Sequence, residues 1–502
     1  MSSSTGEEGL SQIFRQNSIA LVTGVYGDPC TSLLDQFYKD GLNVEISAEE
    51  KVALAQALGA SVAGKRSVVA VKQVGMNVLA DPLATAATHS IGAGLLILAG
   101  DDPGAEKSQD EQDSRWFGKL MGLPVMTPRD PDHLARSAVE ALEISEKFGI
   151  PVIIQITGRL LKSSSNVGKY QAKTNGKFDR TRPWGRLILE RYKYLHEQIY
   201  PTLYQHVEGS SVHSVLKGES KDGVISCGYV STLVEHENHF GLGYVHPLPE
   251  RKLVEFLKDL NRVLVVEEIN PLVEESINAI IGKHHLECDV IGRLTGHLPR
   301  IGKLEKAQID QALTRAPKGL DTDVKPSIGS SILQLPCGGF EPLYQALDEI
   351  LPDDYLVAGD VGCNILHGYF PPIVVDTAYA LGTSISTAAG MSLAGKKGIA
   401  IIGDTGFVHS GLAGLLNAVE LKHNVLVIVL HNKMSAMTPG AQGIPGIERI
   451  RVFIEACQPT AIDEIHVQKV QPEELQTLLK KRLGEQGVHV IIAHAPAQKL
   501  QG

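Results

Sequence analysis

The segment 397–440, KGIAIIGDTGFVHSGLAGLLNAVELKHNVLVIVLHNKMSAMTPG, constrains the fold more than any other stretch of this chain. An apolar run at Gly398–Ile402 predicts a strand. A tight turn follows, then a helix of about a dozen residues, then a second strand over Asn424–Leu430. Strand, helix, strand at this spacing is a βαβ unit, and its strands run parallel. As neighbours they stand about 4.8 Å apart. Asp404 falls just past the carboxyl end of the first strand, and Asn432 just past that of the second. Open parallel sheets bind their ligands in that place. One hard oxygen donor from each strand can therefore reach a single small cation. Gly403 allows close backbone approach, and the helix N-terminus behind it suits a phosphate. A carboxylate, an amide oxygen, a backbone carbonyl and two phosphate oxygens nearly complete the octahedron that Mg²⁺ prefers. The local expectation is a diphosphate held through Mg²⁺.

Gly-Asp with an asparagine at the next strand end resembles the thiamine diphosphate motif. The fuller pattern GDTGFVHSGLAGLLNAV, with NKMSAMTPG behind it, is similar to the alpha subunit of indolepyruvate ferredoxin oxidoreductase. That resemblance implies that Asp404 and Asn432 are side-chain Mg²⁺ ligands and that the carbonyl of Met434 is the third. It implies that Gly403 and Thr405 contact the diphosphate. In VVDTAYALGTSISTAAGMSLAG, just upstream, Gly382, Thr383 and Ser384 open a helix whose N-terminus can take a phosphate oxygen. By the same resemblance Leu381 props the cofactor into its bent shape, a role compatible with plain core packing.

The fold class expected is α/β: two doubly wound parallel-sheet domains, one for the pyrimidine and one for the diphosphate, with a smaller α/β middle domain. Residues 1–17 are expected to be a disordered tail. The pyrimidine domain covers 18–165, where the apolar runs Ile19–Val22, Ser67–Val71, Gly94–Leu98 and Pro151–Ile156 alternate with the helical patterns Glu49–Gly64 and Pro131–Phe148. A polar, Gly/Pro-punctuated linker spans 166–215, with a helix over Arg180–Gln198. The middle domain covers 216–320, with strands at Gly223–Cys227, Gly243–Val245 and Val263–Glu267. The diphosphate domain covers 321–502.

TGVYGDPCTSLLDQF, VEISAEEKVALAQALGASVAG and VKQVGMNVLADPL also resemble the N-terminal half of the same alpha subunit. So does LAGDDPGAEKSQDEQDSRWF. The chemistry needs a carboxylate against N1′ of the aminopyrimidine, and the resemblance implies Glu50 for that role. Its neighbour Glu49 is the alternative, and a solvated glutamate at a helix start is the bland reading. In 101–115 the acidic side chains read mostly as a solvated loop. Lys72, Asn77 and Arg159 meet either a substrate carboxylate or a structural partner. Glu267 and Glu268, at a strand end, read as structural.

Charge and composition exclude several classes. A net charge of −10 over 502 residues, without a basic cluster, argues against a nucleic-acid surface. The apolar runs are too short to span a bilayer. MSSSTGEEGL lacks the basic start and apolar core of a signal peptide. The six cysteines are scattered, which suggests reduced thiols and a cytoplasmic setting.

The chain also departs from the family it resembles. No cysteine-rich, ferredoxin-like segment is present, and the family's CxxC-type element is replaced by Leu335-Pro336-Cys337-Gly338-Gly339. Cys337, Cys363 and Cys457 are a weak basis for a cluster, so an iron–sulfur cluster is not expected. Asp28 stands where the family has a threonine. It is either an acid that can protonate a carbanion or a turn-capping aspartate. His431 replaces the family's aspartate, and the sequence offers no reason for it. The expected activity is that of a thiamine diphosphate- and Mg²⁺-dependent enzyme acting on a 2-oxo acid. Non-oxidative decarboxylation or carboligation leads. One alternative is a catalytic subunit that passes electrons to a separate iron–sulfur partner. Another is a non-catalytic homologue that binds the cofactor for assembly or regulation. The resemblance implies at least a homodimer.

Overall fold

The computed structural model describes residues 3–179, 188–314, 339–368, 371–433, 435 and 440–496. Its segments divide into two units, Met1–Pro326 and Ser327–Gly502.

The first unit is built on a seven-stranded sheet. Its order is Tyr244–His246, Val125–Met126, Val152–Thr157, Leu95–Asp101, Ser67–Lys72, Leu21–Gly24 and Val44–Ile46. Every pairing is parallel except that of Tyr244–His246 with Val125–Met126. All residues of the central strand Leu95–Asp101 are buried. A strand covered on both faces needs a continuous apolar run, and LLILAG supplies one ahead of the buried Asp101. The helix Pro131–Phe148 has its stop and start signals in the sequence. Asp130 accepts from the backbone N–H of His133 at 2.8 Å, Pro131 takes the first turn, and Gly149 ends the helix at φ 67°.

A second, five-stranded sheet follows in the same unit, in the order Asp289–Ile291, Arg262–Val266, Asp222–Cys227, His239–Leu242, Ser214–Leu216. Only the last pairing is antiparallel. The strand expected at Gly243–Val245 is displaced from this layer. Tyr244–His246 closes the edge of the seven-stranded sheet instead, so the middle region lends a strand to its neighbour.

Two expectations are corrected here. Residues 6–16 are not a disordered tail but a helix, Gly6–Gln16. Thr5 and Glu8 form a reciprocal capping box at its start. Leu10, Ile13 and Phe14 then fall on one face and are fully buried, with the Phe14 ring 5.2 Å from that of Phe37. Each such side chain contributes about 1.5–3 kcal/mol on burial, enough to hold a short helix down. The stretch 166–215 is not a bare linker either. Gly168 N–H and the Tyr170 hydroxyl donate to Asp132, and Asn17 exchanges bonds with Tyr170 and Ala172. Helical structure runs from Ile188 to Gly209, and Ser214–Leu216 joins a sheet. Residues 180–187 of the expected helix lie outside the described residues.

The second unit carries one five-stranded sheet, all parallel, in the order Val357–Ala358, Gly398–Gly403, Val425–His431, Val488–His494, Ala461–His466. The βαβ unit expected around 397–440 lies at its centre. Its strands are direct neighbours, with Gly403 opposite Leu430.

Candidate functional site

In the second unit the carboxyl ends of two adjacent strands place Asp404 next to Asn432. Asp404 is buried. One of its oxygens accepts from the backbone N–H of Thr405 at 2.8 Å. The other accepts from the backbone N–H groups of Asn432 at 3.1 Å and Lys433 at 2.6 Å. The carboxylate therefore pins the start of the loop that follows the second strand. Met434, the third expected ligand, lies outside the described residues. A Cβ placed on Gly403 would meet nothing within 4 Å, so the chain is bare toward open space beside Asp404. A buried carboxylate, a neighbouring asparagine and exposed backbone form a donor set that suits Mg²⁺ and a diphosphate. His431 sits against this site, with Nδ1 3.3 Å from Asp404 Oδ2. Its ring is 5.2 Å from that of His494, which lies 5.0 Å from that of His466. The residue that departs from the family thus begins a row of histidines across the strand ends.

The expected phosphate donors at 382–384 are already engaged. Asp360, just past the strand Val357–Ala358 and 1% exposed, accepts from Gly382 N–H with both oxygens, at 2.8 and 2.9 Å. It also accepts from Ser384 N–H at 3.3 Å. Thr383 N–H turns back to the carbonyl of Ala380. Burial pushes the Asp360 carboxyl up to about 6, against the pull of the Gly382 and Ser384 N–H groups. Leu381 is half-buried beside this contact. Nothing in the local sequence marks Asp360, because its partners lie 22 and 24 positions away.

In the first unit Glu50 and Glu49 separate cleanly. Glu49 is the N-cap of the helix Glu50–Val62 and is half-buried, whereas Glu50 turns inward to 7% exposure. A Cβ on Gly75 would lie 2.7 Å from Glu50 Oε1, so only glycine leaves room for that carboxyl there. Asp28 pairs with Lys107 at 3.1 Å. It lines a cavity of about 340 Å³ with Asp102, Arg159, Lys162, Tyr229 and Lys303.

The loop 101–115 is only half a solvated loop. Asp101, Asp102, Asp113 and Arg115 are buried. Burial, with Asp113 nearby, pushes the Asp101 carboxyl up to about 7. Arg115 donates to Asp113 at 2.6 Å and to Glu267 at 2.8 Å. Burial opposes its charge, but Asp113 and Glu267 override that and push the guanidinium well above its ordinary range. Arg159 donates to Glu268 and to the carbonyl of Leu304. Glu267 and Glu268 are thus bound into the fold. Lys72 donates to the carbonyl of Lys107, and Asn77 to Gln112. Both fasten this loop. Cys337 lies outside the described residues, as does the side chain of Cys363.

Residues 360–493 match a family model described as thiamine pyrophosphate enzyme, C-terminal TPP binding domain. The chain is 32% identical to a curated protein named indolepyruvate oxidoreductase subunit IorA from Methanothermobacter thermautotrophicus, across 92% of this chain and 80% of that protein. A protein of the same name from Archaeoglobus fulgidus is 30% identical, across 90% of this chain and 78% of its own length. A solved 2-oxoglutarate:ferredoxin oxidoreductase from Magnetococcus marinus, with 2-oxoglutarate, coenzyme A and succinyl-CoA bound, is similar with a TM-score of 0.50 at 16% identity. It covers 62% of this chain and 64% of that one, a likeness of fold. Among the described residues no helix is long and apolar enough to cross a membrane.

Proposed function

The chain belongs to the IorA family of indolepyruvate oxidoreductase subunits, and on that premise we propose that it is a catalytic subunit that oxidatively decarboxylates a 2-oxo acid. It uses thiamine diphosphate and Mg²⁺, takes a substrate of the aryl pyruvate class, and passes electrons to a separate iron–sulfur partner. The relatives are named as oxidoreductases and as subunits, which supports this reading over the non-oxidative one. The observation that carries the cofactor assignment is the placement of Asp404 and Asn432 at adjacent parallel strand ends, inside the matched cofactor-binding region, and the oxidative fate rests on the relatives' names.

When bound, thiamine diphosphate supplies the electron sink for the carbanion left as carbon dioxide departs. The rest falls to the chain. Asp404 and Asn432 would hold the cation, with the Met434 carbonyl as the third ligand that the family resemblance implies, and Gly403 and Thr405 would border the diphosphate. Glu50 would set its buried carboxyl against the ring nitrogen of the aminopyrimidine. Asp28 accepts a bond from Lys107, and as half of an ion pair it serves to fix the turn rather than to give up a proton. Two electrons must then leave singly for an external acceptor.

The test is an anaerobic assay with thiamine diphosphate, Mg²⁺ and a panel of 2-oxo acids including indolepyruvate, with and without a one-electron dye. The expected result is carbon dioxide release that depends on the dye and reduces it. Aldehyde or acyloin formed at the same rate without dye would contradict the oxidative reading.

A further inference from the structure

Asp360 ties together three segments that approach the site of the second unit from different places in the chain. Its own segment leaves the strand Val357–Ala358, and its backbone N–H is held by Asn364 at 3.2 Å. Its carboxylate takes the N–H groups of Gly382 and Ser384. On its other side a Cβ on Gly406, in the turn that follows Asp404, would lie 2.7 Å from Asp360 Oδ1 and 3.3 Å from a Leu381 methyl. Gly382 has φ +85°, a conformation that L side chains rarely adopt, and a Cβ there would meet Ser410 Oγ at 2.4 Å and the Gly406 carbonyl at 2.8 Å. Ser410 Oγ in turn donates to the Leu381 carbonyl at 2.9 Å. The turn 380–384 is therefore clamped from both sides, by a carboxylate on its N–H groups and a hydroxyl on a carbonyl. Leu381 lies between the two clamps.

We propose that Asp360 is a positioning residue: it occupies the N–H groups of Gly382 and Ser384 and thereby sets Leu381 toward the thiamine ring, while the diphosphate is left to the 403–405 turn. This inference rests on the proposed cofactor. A carboxylate in that position has two possible consequences of opposite sign. If it competes with the diphosphate for the N–H groups, removing its charge tightens cofactor binding. If it positions Leu381, removing its charge weakens binding, because the turn loses its anchor before the cofactor arrives.

The experiment is calorimetric titration of thiamine diphosphate, with Mg²⁺ present, into wild type, Asp360→Asn, Leu381→Ala and the double variant of the full chain. The expected result is a loss of affinity of about tenfold or more in Asp360→Asn, which corresponds to about 1.4 kcal/mol. The double variant is expected to bind no more weakly than the poorer single variant, since both act through one side chain. Should Asp360→Asn fail to fold by far-ultraviolet circular dichroism, Asp360→Glu retains the charge but displaces it, and the same loss is expected. Unchanged or tighter binding in the folded Asp360 variant, or losses that simply add in the double variant, would overturn the proposal while leaving the cofactor assignment intact. Wild type that binds no thiamine diphosphate would overturn both.

Discussion

Two groups of buried carboxylates, one in each unit, are held differently. In Met1–Pro326, Asp113 and Glu267 meet the buried guanidinium of Arg115, and Glu268 meets Arg159. In Ser327–Gly502, Asp360 and Asp404 accept from backbone N–H groups, and among the described residues no lysine or arginine side chain bonds either one. The first arrangement neutralises charge with charge and fastens a loop to a sheet. The second holds its carboxylates chiefly through backbone N–H dipoles, with the His431 ring beside Asp404 and His409 near Asp360. A carboxylate neutralised by arginine is spent on the fold and Asp360 on the 380–384 turn, whereas in the proposed function Asp404 meets a cation.

The comparison breaks most visibly at Arg115. Removing one partner of a buried ion network strands the others, at a cost of about 3–5 kcal/mol. Arg115→Ala should therefore lower the urea midpoint of the first unit by that equivalent. Tryptophan fluorescence reads it selectively, because both tryptophans of the chain, Trp116 and Trp184, fall in Met1–Pro326. A loss below about 1 kcal/mol would show that the network is not the fastener described. Next in size is Glu50→Gln. It should cut dye-linked turnover by about a hundredfold or more and leave thiamine diphosphate affinity within a few-fold. Parallel loss of both would reduce Glu50 to a structural residue.

A pH titration sharpens the contrast between units. Burial lowers His133 to about 3, and His213, His239 and His246 each to about 4. All lie in Met1–Pro326. A histidine depressed on folding contributes stability that is present above its unfolded value of about 6.5. That stability is lost as the pH falls from there toward 4. Burial raises the Asp101 and Glu267 carboxyls of the same unit to about 7, a smaller contribution of opposite sign, so the thermal midpoint followed by tryptophan fluorescence should still drop between pH 6.5 and 4. A flat midpoint across that window would mean that these imidazoles are not held neutral. The smallest effect is expected at Asp28, whose pair with Lys107 is partly exposed. Such pairs are worth about 0.2–1 kcal/mol, so Asp28→Asn should change dye-linked turnover less than about fivefold. Abolished turnover would return Asp28 to the chemistry.

What the sequence discloses follows the range of the interactions involved. The βαβ unit around Asp404 is legible because its strands are continuous apolar runs and its turn residues act within a few positions. The helix Pro131–Phe148 is legible because Asp130, Pro131 and Gly149 punctuate it locally. The helix Gly6–Gln16 was equally local, in the Thr5–Glu8 box and the spacing of Leu10, Ile13 and Phe14, but an acidic, serine-rich start masks it. The Arg115 network and Asp360 are a different case. Arg115 reaches Glu267 across 152 positions and Asp360 reaches Gly382 across 22. No periodicity encodes such distances, so in sequence these residues look like ordinary loop acids and bases.

The most direct test of the account is the binding of thiamine diphosphate to the wild-type chain and to Asp404→Ala, each titrated with Mg²⁺ present and again after chelation. The account predicts tight binding only in wild type with Mg²⁺, and a loss of at least a hundredfold when either the metal or the Asp404 carboxylate is removed. Equal binding in all four titrations would contradict it, because the charge kept at the strand ends of the second unit would then be holding nothing.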